Sequence, residues 1–146
     1  MIAPEKAVAS AQQVGATGQS YAQSANPLGA CGLHHVALIV SDYARSKAFY
    51  TQMLGCTVIA EELRAERQSY KLDLAVPGGG RLELFSFPSP PQRTSRPEAC
   101  GLRHLAISVR SVNAARDYLV AQGVDCEAIR LDAATGKEFF FFSDPD

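Results

Sequence analysis

Two short stretches of the chain, residues 33–40 and 102–109, are apolar at nearly every position. Runs of this length and composition are typical of buried strands. Apolar residues spaced four apart follow the first run, and a similar apolar stripe follows the second, which predicts a helix after each strand. The first helix starts after Asp42, a good N-cap, and ends near Gly55, whereas the second is predicted over 112–122.

Further strands are predicted from short apolar segments that lie between turn residues. The first half of the chain carries three of them, over 57–63, 69–76 and 81–87, and the turn "PGGG" joins the last two as a hairpin. The second half carries two, over 125–131 and 137–142. Each half is therefore predicted as β-α-β-β, and the first half has one additional strand.

The two halves also repeat at the level of individual residues. The segment "ACGLHHVALIV" at 30–40 returns as "ACGLRHLAISV" at 99–109, an offset of 69 residues. This repeat predicts two tandem βαβββ modules, 31–87 and 101–146, joined by the proline-rich linker 88–100. One such module cannot bury its apolar sheet face alone. We therefore expect an α+β fold in which the modules form a curved, cup-like mixed sheet with the helices on its outer face.

The two ends of the chain depart from this pattern. Residues 1–30 are rich in Ala, Gln, Ser and Gly and show no sustained apolar period, so we expect a mobile tail before a packed domain over 31–146. The second module reaches "SDPD" without its last strand. We therefore expect an uncovered sheet edge and hypothesise that the chain is a C-terminally incomplete copy of a longer polypeptide.

Charge and composition exclude several classes of partner. The 14 basic and 15 acidic side chains give a formal charge of −1 without long runs of either sign, which disfavours nucleic acid and anionic membrane surfaces. No stretch approaches the roughly 18 apolar residues of a membrane span, and the N-terminus lacks signal-peptide features. Four cysteines without a CxxC pair are typical of reduced thiols, so we expect a cytoplasmic protein.

The repeated histidines are the first candidates for chemistry. Because side chains alternate across a strand, His35 and His104 lie opposite the bulkier apolar residues that suit the face beneath a helix. Both imidazoles are then expected in the concavity of the sheet, related by the internal pseudo-symmetry. Two facing imidazoles favour a divalent cation, which also prefers a carboxylate ligand.

Glu83 in "RLELFSF" is the carboxylate that fits this arrangement. It lies between Leu82 and Leu84 in an apolar strand, where an unpaired carboxylate is costly to bury. A salt bridge to Arg81 or a solvent-facing edge position would also account for it. Glu138, which precedes "FFFF", is interpreted as a surface or edge residue.

These features resemble the vicinal oxygen chelate superfamily, which includes glyoxalase I, methylmalonyl-CoA epimerase, fosfomycin-resistance proteins and extradiol dioxygenases. The segments "HHVALIVSDYARSKAFYTQMLG", "LELFSF" and "GLRHLAISV" carry the resemblance, which covers 31–146 and is similar to small bacterial glyoxalase-I-like proteins. By position in these motifs, the resemblance implies that His35, Glu83 and His104 are metal ligands. A glutamate at position 83 resembles the glyoxalase I pattern more than the dioxygenase or fosfomycin pattern.

Three features of the sequence depart from the glyoxalase I pattern. Ile39 stands where an arginine generally holds glutathione, and Phe87 stands where an asparagine is expected. Both substitutions argue against a glutathione conjugate as substrate. The family pattern also continues after "DPD" with a strand that carries a second glutamate, whereas the sequence ends at Asp146.

The resemblance implies a metal-dependent lyase or isomerase that acts on a small α-oxo or vicinal-dioxygen substrate through a metal-stabilised enediolate. Glu83 would transfer the proton, and Ni²⁺, Zn²⁺, Mn²⁺ and Fe²⁺ all suit the ligands. The alternatives are an Fe-dependent extradiol-type dioxygenase and a non-enzymatic binding protein like the bleomycin-resistance members. We expect a small-molecule substrate and a homodimer, without nucleic-acid or membrane partners.

Overall fold

Two four-stranded sheets share one hydrophobic core. The computed structural model describes residues 6–11 and 27–146. In chain order the elements are β1 (Lys6–Ala11), β2 (Val36–Val40), α1 (Tyr43–Ala48), β3 (Thr57–Arg64), β4 (Ser69–Ala75), β5 (Arg81–Ser86), β6 (Ala106–Val109), α2 (Val112–Ala121), β7 (Arg130–Leu131) and β8 (Glu138–Ser143). The strand order is β2-β5-β4-β3 in the first sheet and β6-β1-β8-β7 in the second.

Leucines on one side of the first sheet pack into the hydrophobic core. Strand β5 pairs parallel with β2 and antiparallel with β4. Alternate residues of β4 and β5, namely Leu72, Leu74, Leu82 and Leu84, are almost completely buried. They join Phe140 and Phe142 of β8 in a single apolar cluster, so the two modules are stabilised by the same core.

The first helix begins where the sequence predicts. The Asp42 carboxylate accepts a hydrogen bond from the Arg45 backbone N–H at 3.0 Å, as an N-cap does. After Ala48 the helix continues as a π-helical turn over Phe49–Met53, where Thr51 Oγ1 donates to the Lys47 carbonyl at 2.7 Å. Such a side-chain bond competes with the regular backbone ladder, so the last turn is wider than predicted.

The second helix has the same position in its own module. Its N-cap is Ser111, whose hydroxyl accepts from the Ala114 backbone N–H at 3.2 Å. Val112 and Leu119 of α2 are buried in the shared core. Among the helices in the described part of the chain, none combines the length and apolar character that a membrane crossing requires.

Strand β1 occupies the position of the expected eighth strand. It pairs parallel with β6 and antiparallel with β8, just as β5 pairs with β2 and β4. For Lys6–Ala11 the structure therefore corrects the expectation of a mobile tail, and the expected edge between β6 and β8 is covered. The physical reason is that the backbone N–H and C=O groups of both neighbouring strands find partners there. The rest of the expected tail before residue 27 lies outside the described residues.

Three predicted strands are shorter in the structure by three residues or more. Strands β2 and β6 begin at Val36 and Ala106, so His35 and His104 precede their strands instead of lying within them. The ladders to β5 and β1 start at those same residues and extend no further. Strand β7 contains only two residues, and Cys126 forms one isolated bridge to Phe142.

The shared core leads to a stability prediction. Truncating Leu84, whose relative exposure is 0%, with Leu84→Ala is expected to lower the free energy of unfolding by about 2–5 kcal/mol, because a cavity remains. The matched control Leu131→Ala, at a residue that is 67% exposed, is expected to change it by less than about 0.5 kcal/mol. Urea denaturation followed by far-ultraviolet circular dichroism measures both. Two separate transitions would contradict a core shared by both modules.

Candidate functional site

The side of the first sheet opposite the leucine core carries the candidate site. Register places Ala37, Glu83 and Asp73 side by side across three strands, and Ile39, Phe85 and Lys71 form the next row. We call these six residues the open face, because Ile39 is 61% exposed and none of the six belongs to the core cluster. Strand alternation puts them opposite the buried leucines.

Each carboxylate oxygen of Glu83 has a nitrogen neighbour. Its Oε2 lies 3.7 Å from His35 Nε2, and its Oε1 lies 3.2 Å from Lys71 Nζ. The Lys71 ammonium also contacts Asp73 Oδ1 at 2.8 Å, so one cation links two carboxylates. Hydrogen bonds to Asp73 and Glu83 raise the pKa of Lys71, which keeps the ammonium charged. The ion-pair partner of Glu83 is therefore Lys71 instead of Arg81.

His35 has a second histidine as its neighbour. The Nδ1 atoms of His34 and His35 are 2.8 Å apart, and the two rings meet edge to face at 81°. One of these nitrogens must donate and the other accept, because a neutral imidazole carries one N–H. When His35 donates from Nδ1, its Nε2 presents a lone pair toward Glu83. This tautomer is the one that a metal ligand requires.

His104 lies on the exposed side of the second module. Its ring meets Phe141 edge to face, with 5.8 Å between ring centroids. Leu105 and Val109, which alternate with it, pack against the core, as strand alternation predicts. The structure therefore brings His35 and Glu83 together and places His104 against an aromatic ring. Within residues 6–11 and 27–146, no three His, Cys, Asp or Glu side chains form a group that could hold a metal ion.

A cavity of about 330 Å³ joins the two modules beside His35. Its wall is formed by the residues before β2, by the turn at 77–80 and by β6. His34, His35 and Ser108 are among the polar groups that line it. The cavity provides room for a small molecule next to His35, the partner of Glu83, with both modules in contact with it.

A larger groove of about 590 Å³ lies elsewhere, along Tyr43 and Tyr70. Tyr43 donates to Glu61 Oε1 at 2.6 Å, and Lys47 Nζ lies 2.5 Å from Glu61 Oε2. Burial, followed by the hydrogen bond to Glu61, raises the pKa of the Tyr43 hydroxyl, so it remains protonated. These groups satisfy one another, and the histidines are not among the residues that line this groove. We therefore place the candidate site at the smaller cavity.

The His35–Glu83 pair has the donor chemistry of a divalent metal site. Two ligands that each lie about 2.0–2.2 Å from one first-row ion are at most about 4.4 Å apart, so the observed 3.7 Å fits. An imidazole nitrogen and a carboxylate oxygen suit Ni²⁺, Zn²⁺, Mn²⁺ and Fe²⁺. Sequence reasoning missed Lys71 and Asp73, although their alternation with Leu72 and Leu74 in "KLDLA" places them on the side of Glu83.

The two acidic residues near the end of the described chain are not part of this pair. Asp146 Oδ1 accepts from the Ser41 backbone N–H at 2.6 Å, and its Oδ2 accepts from Ser46 Oγ at 2.7 Å. Asp144 Oδ2 accepts from the Tyr50 hydroxyl at 2.6 Å. Both carboxylates therefore bind the second module to the first helix. Glu138 is exposed, as predicted, and is 3.5 Å from Asn113 Nδ2.

Comparisons with known proteins agree with this architecture. Residues 32–146 match the model of the Glyoxalase/Bleomycin resistance protein/Dioxygenase superfamily. YaeR of Escherichia coli (strain K12), an uncharacterized protein, is 56% identical over 119 residues, which are 82% of this chain and 92% of that protein. A 2-epi-5-epi-valiolone epimerase of Actinomyces sp is 32% identical over 138 residues, covering 80% of this chain and 75% of that protein.

Solved structures show the same fold. The glyoxalase family protein from Enterococcus faecalis superposes with a TM-score of 0.74 at 43% identity and covers 80% of this chain and 91% of its own. The fosfomycin resistance protein FosX from Listeria monocytogenes, in its monoclinic form at pH 6.5, has a TM-score of 0.62 at 20% identity, covering 79% and 86%. At that identity the likeness concerns the fold alone.

The link between Tyr50 and Asp144 yields a testable prediction. Tyr50 is buried, and Tyr50→Phe leaves Asp144 Oδ2 without its donor, so we expect a loss of about 1–2 kcal/mol of stability. Tyr118→Phe is the matched control, because this exposed hydroxyl makes only a 3.4 Å contact to the Gln52 carbonyl. Chemical denaturation measures both variants, and equal losses would contradict the assignment.

The same link predicts a pH dependence. Burial, and then the Asp144 carboxylate, raise the pKa of Tyr50 above its ordinary value, so the unfolded chain loses this proton first as the pH rises. Stability is therefore expected to fall above about pH 10, the ordinary pKa of tyrosine. Tyr50→Phe should flatten this part of the profile, measured as the denaturation midpoint between about pH 8 and 11. An unchanged slope would show that Tyr50 does not cause the decline.

Proposed function

Because the chain belongs to the Glyoxalase/Bleomycin resistance protein/Dioxygenase superfamily, we propose that it is a metal-dependent lyase or isomerase. Its substrate is a small α-oxo compound or another molecule with two neighbouring oxygens. The observation that supports this proposal is the 3.7 Å approach of His35 Nε2 to Glu83 Oε2 beside the cavity between the modules. In this proposal His35 and Glu83 hold the ion together with His104.

A protein of the same fold motivates the metal, and a relative at 32% identity motivates the reaction class. A mutant of FosX was crystallised with Mn(II) and 1S,2S-dihydroxypropylphosphonic acid, and it has this fold with a TM-score of 0.58. The Actinomyces relative is named as an epimerase, which is an isomerase. Inverting a carbon centre next to a carbonyl requires removal and return of one proton. The isomerase form of the proposal therefore needs a base close to the substrate.

Glu83 is that base, and its surroundings prepare it for proton transfer. A bound divalent ion would act as a Lewis acid on the substrate oxygens and make the neighbouring carbon-bound proton easier to remove. Lys71 holds Oε1 and leaves Oε2 directed toward His35, so the carboxylate has a defined orientation. His34 holds the His35 ring through Nδ1. Asp73 shares the charge of Lys71, which limits how strongly the lysine retains Glu83.

The assembly belongs to the same proposal. We propose a homodimer, because β3 lies at the edge of its sheet and exposes apolar side chains on both faces. Val58, Ile59 and Leu63 are 41%, 46% and 57% exposed. A second copy is the simplest cover for such an edge.

Metal titration tests the proposed ligands. We expect one Ni²⁺, Zn²⁺, Mn²⁺ or anaerobic Fe²⁺ per chain by isothermal titration calorimetry. His35→Ala, Glu83→Gln and His104→Ala should each weaken binding at least about tenfold, because each removes a direct ligand. His34→Ala is the matched control and should have a smaller effect. Unchanged affinity in all three ligand variants would contradict the proposal.

The same metal-loaded samples distinguish the proposed isomerase from a dioxygenase and from a non-enzymatic binding protein. Oxygen consumption that occurs only with Fe²⁺ would indicate the dioxygenase alternative, and ligand binding that is independent of every metal would indicate a binding protein. Hydrogen–deuterium exchange at the carbon next to a substrate carbonyl, lost in Glu83→Gln, is the result expected for the isomerase.

Glutathione conjugates are expected to be poor substrates. Ile39 is an exposed apolar residue where the related enzyme pattern has an arginine, and Phe87 stacks on Phe85 with 6.4 Å between ring centroids. Neither side chain can supply the charged or amide contacts that a glutathione moiety requires. Assay of the methylglyoxal–glutathione adduct with the metal-loaded chain checks this. Rapid turnover would show that those two contacts are dispensable.

A further inference from the structure

The guanidinium of Arg64 lies on the same side of the first sheet as Glu83. Arg64 is the last residue of β3, and its guanidinium carbon lies 4.9 Å from the Phe85 ring centroid and 5.9 Å from that of Phe87. Register places Arg64 opposite Ser69, two residues before Lys71, so it shares the side of the open face. The two rings, inclined by 13°, form the surface on which the guanidinium rests.

The hydrogen-bonding capacity of Arg64 is mostly unused. A guanidinium has five N–H donors, and among the described residues Arg64 makes one hydrogen bond, from Nη2 to Ser69 Oγ at 2.6 Å. Its Nε is buried without a partner. No ion pair within the described part of the chain involves Arg64, whereas Lys71 is shared between Asp73 and Glu83. Arg64 is therefore a cation of this side that is available to a ligand. Arg81, two residues before Glu83 on β5, lies on the same side and likewise forms no ion pair within the described residues, but only Arg64 of the two rests on the rings of Phe85 and Phe87.

A second arginine provides the contrast. Arg130 of β7 lies over Phe139 and Phe141, with 5.7 and 5.2 Å to the ring centroids. It also forms an ion pair with Glu127, so its charge is compensated. Stacking on two phenylalanines thus occurs in both modules, and the carboxylate partner accompanies only Arg130. The two arginines therefore have similar aromatic contacts and differ in whether a carboxylate compensates their charge.

We propose that Arg64 binds a terminal anionic group, a carboxylate or a phosphate, of the substrate whose vicinal oxygens lie at His35 and Glu83. This inference rests on the proposed function. Glu83 and Phe85 are two residues apart on one strand, which corresponds to about 6.6 Å. The anionic group is therefore several bonds away from the reacting carbon. The substrate class is a 2-oxo diacid or a ketose phosphate rather than a neutral dicarbonyl.

The physical advantage of this position is the aromatic support of the charge. The rings of Phe85 and Phe87 cover one side of the guanidinium, and the hydrogen bond to Ser69 orients it, so a carboxylate or phosphate meets an oriented cation. Charge-assisted hydrogen bonds of this kind correspond to about a 10- to 100-fold gain in affinity. The terminal group would thus decide which α-oxo compound is accepted.

Matched pairs of ligands test the proposal on the full chain. The first pair is 2-oxoglutarate and 2-oxopentanoate, which differ only in the terminal carboxylate. The second pair is dihydroxyacetone phosphate and dihydroxyacetone, which differ only in the phosphate. Affinities are measured by ligand-observed NMR and calorimetry with the metal-loaded protein. We expect at least one member with the terminal anionic group to bind about tenfold or more tightly than the partner that lacks this group, and the pair that shows this distinguishes carboxylate from phosphate.

Substitutions then assign the preference to Arg64. Arg64→Gln should remove the preference, Arg64→Lys should retain part of it, and the control Arg130→Gln should leave it unchanged. Thermal unfolding of each variant confirms that it is folded. No preference in either pair, a preference that survives Arg64→Gln, or one lost equally in Arg130→Gln overturns the proposal.

Failure of the metal site gives a different result from failure of the anion site. If His35→Ala and Glu83→Gln leave metal binding unchanged while the anion preference still depends on Arg64, the proposed function fails and the anion site is supported. If metal binding depends on His35 and Glu83 and the anion preference is absent, only the anion site is overturned. The metal-free protein, tested with the same ligand pairs, is included for this purpose.

Discussion

The alternation of side chains along β4 and β5 is the constraint on which the rest of the structure depends. Leu72, Leu74, Leu82 and Leu84 are driven into the shared core, and a shift of one residue in either strand would expose all of that strand's leucines. The residues between them are then forced to the opposite side. Glu83, Asp73 and Lys71 meet there because the leucines are buried, and the cost of a carboxylate in an apolar strand is offset by the lysine.

The internal repeat makes two similar frameworks with different chemistry. Ala37 and Ala106 are equivalent in the repeat, and their strand partners are Glu83 and Val8. The position that carries a carboxylate in the first module therefore has an apolar residue in the second. Around it, Phe139 and Phe141 stand where the first module has Lys71 and Asp73, as the strand registers show. The first module supplies charge, and the second supplies aromatic surface.

Much of this arrangement follows from the sequence because it depends on local period. Burial of one strand face and the open-face position of Glu83 follow from the period of two, and the two-module arrangement follows from the repeat at 69 residues. The helix N-cap follows from the side chain of Asp42. The superfamily itself was also evident from the short motifs, and the match over 32–146 confirms it. Burial of the strand face requires only that apolar side chains avoid water.

Partners distant in the sequence were decided by the tertiary structure. Glu83 pairs with Lys71 instead of Arg81. Lys71 reaches Glu83 because β4 places it opposite Phe85, which is two residues after Glu83 on β5. Strand β1 pairs between β6 and β8 because the backbone groups of those two strands lack other partners there. Composition predicts a mobile tail for this segment instead. The contact of His104 with Phe141 is likewise a matter of packing between strands. Period determines which side a residue faces, whereas pairing between distant segments determines what it meets there.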